Sequence, residues 1–392
     1  MKKLAIPLFA AIIFCGSAYA GPREQAKQLH DRIAGVPADS VLLDQMQTLI
    51  ESGDAISAAE LAIEHPDFYN TTLKTIITPW TNEAQTTFAP LNDYTATVIG
   101  AIRDNLDFRT LLHDDILYIG DPSLGLANYS QNNNNHYQQM EQTGVDLKAD
   151  LIQVTQSSVN GLPATATAGV MTSRAAAQAF FVDGTNRAML RFTLLNHLCS
   201  DMEQMKDNTR SPDRIRQDVS RSPGGDSRIF VNACLGCHAG MDPLAQAFAY
   251  YNYVYDSSSD PEALNGRLEY TAGSVQPKYL INATNFSYGF VTTDDNWENY
   301  WRAGANYLLG WDTNGLNLPY KHAGAQSLGR ELANSEAFAS CQVKKVFKSI
   351  CFREPENSND HIKIKQITDS FKANNYNIKT VFAESAVYCM GE

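Results

Sequence analysis

Apolar positions recur at helical spacing through much of the chain. After an Asp39/Ser40 start, Leu42, Met46, Leu49 and Ile50 fall on one face, and Gly53 ends that helix. Asp54 is placed to cap the next helix, which Pro66 closes, so Ala26 to Ile63 predicts short antiparallel helices. A second helical block runs from Leu91 to Tyr118, with Val98, Ile102 and Leu106 and then Leu111, Leu112 and Ile116 as its stripes. It closes at the turn Gly120-Asp121-Pro122. From Asn186 to Met205 the buried stripe is Ala188, Met189, Phe192, Leu195 and Leu198. The last block puts Phe338, Val343, Val346, Phe347 and Ile350 in register and ends with a segment from His361 to Tyr388.

Two stretches break this pattern. Asn128 to Gln142 is polar and repetitive, with asparagine at every position from Asn132 to Asn135, and reads as an exposed loop carrying His136 on the surface. Gly266 to Leu318 is dense in aromatic residues interleaved with Gly and Asn, among them Tyr279, Trp297, Trp301 and Trp311, most of them expected in a core. No repeat at solenoid or propeller periods is evident.

The chemistry is concentrated in Cys234-Leu235-Gly236-Cys237-His238. Two cysteines three apart, followed at once by histidine, form the attachment pattern for c-type haem. On one turn of helix the two sulfurs point the same way and can form thioethers with the haem vinyl groups, while His238 is placed to bind iron from one side. A structural zinc site would need about four ligands, and no second close cysteine pair is present. A thioredoxin-like pair would be expected near a βαβ pattern, which this region lacks. The expected cofactor is one covalently attached haem c. The expected fold is mainly α: an N-terminal helical domain over 21–160, a central haem-binding region over 161–260, and a C-terminal helical block with the aromatic-rich irregular insert over 261–392.

Compartment and charge agree with that reading. Lys2 and Lys3, the apolar run Leu4 to Cys15 and the small-x-small site Ala18-Tyr19-Ala20 predict a signal peptide over 1–20, cleaved near Ala20 and delivering the protein to the periplasm. No later run is apolar and long enough to span a bilayer. Loss of Lys2 and Lys3 takes the formal charge from −12 to −14, which disfavours nucleic acid and anionic lipid as partners. Of the seven cysteines, Cys15 leaves with the signal and two belong to the motif. The remaining four, Cys199, Cys341, Cys351 and Cys389, suggest two disulfides in an oxidising compartment. Three pairings are open; Cys351 with Cys389 would clamp the C-terminal tail.

Five arginines, Arg210, Arg214, Arg216, Arg221 and Arg228, precede the motif in a Pro- and Gly-rich segment. Guanidinium binds carboxylate in a bidentate fork, so Arg221 and Arg228 are candidate partners of the haem propionates; pairing within the segment to Asp213, Asp218 and Asp226 is the plainer reading. For the second axial position His322 and Met171 are the named candidates, with His197, Met202, Met205 and Met390 as further options. Met241 is too close to His238 to cross to the opposite face.

Cys234 to His238 followed by Met241-Asp242-Pro243-Leu244, Phe248 and Tyr251-Asn252 resembles the cytochrome segment of the planctomycete-type cytochrome c family, exported proteins built from several domains of unknown function. Ala168 to Thr172, Gly184 to Arg187 and Leu198-Cys199 look like the segment that precedes the haem in that family. Phe338, Cys341 and Val346, with Arg353 and Pro355, look like its C-terminal helical domain, and Arg32 to Pro37 with Ala62 to Phe68 are similar to the opening of a related domain. The chain is far shorter than many members and lacks their long extensions. The resemblance implies a periplasmic haem protein.

The leading expectation is a monohaem cytochrome that passes one electron to a periplasmic partner protein, the partner then carrying any catalysis. A haem peroxidase or oxygenase with an open axial position is the enzymatic alternative, although the usual dihaem peroxidases carry two attachment motifs. A sensory or structural haem protein of the envelope is the third.

Overall fold

Asp39 and Asp54 start their helices by the mechanism their spacing predicts. The Asp39 carboxylate accepts from the Val41 and Leu42 N–H groups, and Asp54 accepts from Ser57 N–H. The computed structural model describes residues 20–182, 184–284 and 286–391, so the predicted signal segment lies, but for Ala20, outside the described residues. The protein is mainly helical, 55% helix against 7% strand.

The longer helices, numbered in chain order, are α1 (Pro22–Ala34), α2 (Ser40–Glu51), α3 (Ala55–Ile63), α4 (Asp93–Arg103), α5 (Asn135–Thr143), α6 (Arg174–Phe180), α7 (Arg187–Leu198), α8 (Leu235–Ala245), α9 (Gly324–Ala333), α10 (Glu336–Cys351), α11 (Ser358–Ala373) and α12 (Ile378–Cys389). Among the described residues three antiparallel strand pairs interrupt them: β1 (Leu117–Gly120) with β2 (Leu151–Val154), β3 (Tyr251–Tyr255) with β4 (Gly266–Tyr270), and β5 (Asn296–Glu298) with β6 (Lys321–Ala323). Among the described residues no helix is long and apolar enough to cross a membrane.

Helix α12 returns to pack on α1, α3 and α10, and α10 also packs on α7. One large hydrophobic cluster accordingly includes Leu29 of α1, Leu190 of α7, Phe248 beyond α8 and Phe347 of α10. The segments 21–160, 161–260 and 261–392 thus share a core, a feature that local periodicity does not reveal because the contacts join the two ends of the chain. The aromatic insert divides by position: Trp297, Trp301 and Tyr279 are buried, whereas Tyr288 and Tyr307 are exposed.

The disulfides reinforce these packings. Cys351 bonds to Cys389, tying the ends of α10 and α12, and Cys199, at the end of α7, bonds to Cys341 of α10.

The polar stretch around His136 is a correction. The end of the asparagine run leads into α5, and His136 is buried, accepting from Gly120 N–H at Nε2 (2.9 Å) with Nδ1 2.6 Å from the Ala127 carbonyl. Both ring nitrogens are satisfied by backbone, so a polar composition conceals a core histidine.

Candidate haem site

Helix α8 opens at Cys234 directly after the turn Phe230–Cys234. Cys234 and Leu235 lean on a small cluster of Ile215, Val219, Phe230 and Ala239, which fixes the helix start against the arginine-rich segment. Both motif cysteines are partly exposed and free, while the four other described cysteines are paired. Cys237 Sγ lies 3.5 Å from the Met202 carbonyl; burial, aided by Glu203, pushes its thiol pKa up, which keeps it protonated at neutral pH. Ile229 and Val231, in the approach to the motif, are apolar and 46% and 49% exposed.

His238 follows with its side chain 20% exposed and Nδ1 3.1 Å from Oδ1 of Asp242, one turn along α8. The Asp242 side chain is fully buried. Burial raises its pKa, but Arg187, Arg216 and the bond from His238 outweigh this and hold it well below the usual carboxylate range. An ionised carboxylate only accepts, so the proton of a neutral His238 sits on Nδ1 and the lone pair on Nε2.

The arginines largely serve the protein itself. Arg228 is highly exposed and pairs with Asp226; Arg210 pairs with Asp207, Arg214 with Glu298, and Arg216 lies near Asp218 and Asp242. Arg221 differs. Its Nη1 and Nη2 donate to the Val219 and Ile215 carbonyls at 2.7 and 2.9 Å, the guanidinium stands over Phe230, and among the described residues no carboxylate pairs with it.

Met171 is buried in the main core with its methyl beside Gly329 of α9. His322 is exposed on β6 opposite Trp297 and lines a cavity of about 340 Å³ with Leu318, Gln326 and Arg330. His197 is buried in the core with Nε2 2.8 Å from the Tyr94 hydroxyl. Met202 is the option that stands beside the motif, through its contact with Cys237.

The residues present fit a haem c. They offer two free thiols one turn apart, a histidine turned by a buried acid so that Nε2 is left to ligate, an apolar approach, and a cation lacking a protein carboxylate. Among the described residues no three His, Cys, Asp or Glu side chains gather as a metal site, and a porphyrin brings its own equatorial donors. Asp242 and Arg187 were missed as site residues; the signal was the four-residue spacing of Asp242 from His238, which puts both on one helical face.

No family model, no curated protein and no solved structure matches the chain.

Proposed function

We propose that the protein is an exported monohaem c-type cytochrome that transfers single electrons to a partner protein in the periplasm, with 161–260 as its haem-binding region and with affinity to the planctomycete-type cytochrome c family. The observation that carries this reading is the state of the cysteines and histidine. Cys234 and Cys237 remain thiols on one helical turn beside an oriented His238, while two disulfides take up the other four described cysteines.

When bound, haem supplies a ferric/ferrous couple. Cys234 and Cys237 would hold it through thioethers and His238 through Nε2, with Arg221 as the cation closest in character to a propionate partner. Asp242 keeps the His238 proton on Nδ1.

A second reading, an iron with an open axial position used for peroxide or oxygen chemistry, is favoured by the packing of Met171, whose methyl is buried against Gly329 in the main core. The separating experiment is an absorption spectrum of the haem-loaded protein, reduced, with and without carbon monoxide. A low-spin spectrum unchanged by carbon monoxide is the result expected for an electron carrier; a large shift would move the assignment to the second reading.

A further inference from the structure

We propose that Asp242 is the positioning residue for the iron ligand His238, and that it lowers the reduction potential of the attached haem by strengthening that ligand. The proposal rests on the haem reading above and concerns this chain's own residues.

The contact is local and directional. His238 and Asp242 are four residues apart on α8, and Nδ1 meets Oδ1 at 3.1 Å. What stands behind the carboxylate makes the contact unusual. Arg187 at the start of α7 donates to Oδ1 from Nε at 2.7 Å and to Oδ2 from Nη2 at 3.0 Å, and the Arg216 backbone N–H donates to Oδ2 at 3.1 Å. The outer edge of Arg187 is bound in turn by Asp218, at 2.5 and 2.9 Å. The Arg216 guanidinium is itself buried, over the Tyr279 ring and donating to Thr185 Oγ1 at 2.5 Å.

This clamp fixes the plane of the Asp242 carboxylate, so the imidazole that donates to it is fixed as well. Among the described residues Asp242 is the carboxylate that bonds His238; Asp218 is one step removed. A carboxylate behind a ligating histidine fixes its tautomer and raises the basicity of the metal-binding nitrogen. A more basic Nε2 favours the ferric state, and second-shell hydrogen bonding is one of the levers that set haem potential. A buried acid and a buried arginine, Asp242 and Arg216, joined by the partly buried Arg187 and Asp218, would be a costly way merely to fill space, since isolated buried ion pairs contribute little net stability.

The test compares Asp242→Asn with Asp218→Asn in haem-loaded protein. Asp242→Asn should displace the ferric/ferrous equilibrium at least tenfold toward ferrous, a rise of 59 mV for one electron, and should speed solvent exchange of the His238 Nδ1–H read by paramagnetic NMR. Asp218→Asn disturbs the same cluster but leaves the His238 contact, and should give less than half that shift. Equal shifts in the two variants, or none in Asp242→Asn, would overturn the proposal. Should Asp242→Asn fail to fold, the wild-type protein decides: a protected Nδ1–H supports the contact, and exchange at the rate of a free imidazole rules it out. Wild-type protein lacking covalent haem would overturn the haem reading and this proposal together, whereas haem present with an unprotected Nδ1–H would overturn this proposal alone.

Discussion

Trp301 packs so closely on Gly240 that its indole Nε1 lies 2.1 Å from where a Cβ on Gly240 would stand. Trp301 is fully buried, so the ring has little room to retreat. Alanine at a helical glycine ordinarily gains about 1 kcal/mol, but overpacking a rigid ring costs about 1–3 kcal/mol. The clash should win. Gly240→Ala is expected to lower the urea midpoint, and Trp301→Phe in that background to restore part of the loss. An unchanged or raised midpoint would show that the indole moves freely.

Arg221 and Arg228 should separate in a haem-loaded protein. Arg228 is exposed and already paired with Asp226, whereas Arg221 donates to backbone carbonyls and stands over the Phe230 ring, with no carboxylate paired to it among the described residues. Removing a nearby cation favours ferric iron. Arg221→Gln should therefore lower the midpoint potential and make it more dependent on pH as a propionate loses its partner, while Arg228→Gln leaves it in place. Potentiometric titrations across neutral pH check this, and equal behaviour of the two variants would remove Arg221 from the site.

The disulfides enclose loops of different length, with sequence separations of 142 for Cys199–Cys341 and 38 for Cys351–Cys389. Loop-closure entropy then gives stabilisation of about 5 and about 4 kcal/mol. Replacing either pair by serine should lower unfolding free energy by up to these amounts, with the longer loop costing more. Denaturant unfolding of the two double variants measures the order; a larger loss from the C-terminal pair would show that packing of α12, rather than chain entropy, dominates.

Much of the helical framework is legible in the sequence because its signals are local. Asp39, Asp54 and the stripe from Phe338 to Ile350 act within one or two turns, and the structure places them accordingly. His136 was not legible: its ring partners, Gly120 and Ala127, lie 16 and 9 residues away, and the asparagines beside it suggest solvent. The candidate site shows the same divide. Cys234, Cys237 and His238 announce themselves by spacing, but the Arg187 that clamps Asp242 is 55 residues upstream. Of the arginines, only the third dimension distinguishes Arg228, which meets Asp226 two residues away, from Arg221, which meets no carboxylate among the described residues.

Acid should weaken the C-terminal helices through Asp360. Arg353 bonds both of its oxygens, at 2.7 and 3.0 Å, and together with the Glu356 and Asn357 N–H groups and the Tyr388 hydroxyl it outweighs burial and holds the carboxyl well below its ordinary range. A depressed folded value contributes stability above the unfolded value of about 3.9. That contribution is lost as pH falls below about 4 toward the folded value. Wild-type urea midpoints should fall more steeply there than those of Asp360→Asn, which should be less stable at neutral pH; parallel profiles would exclude Asp360 as the acid-sensitive group.

Every redox property proposed for this protein depends on covalent haem at Cys234 and Cys237. The most direct measurement is mass spectrometry of the peptide carrying both cysteines, from protein exported in a host equipped for haem attachment. The expected result is a mass increase of one haem that survives denaturation and acid extraction and is lost when both cysteines are replaced by serine. A peptide bearing two free thiols, or an internal disulfide, with any haem extractable into organic solvent, would contradict it.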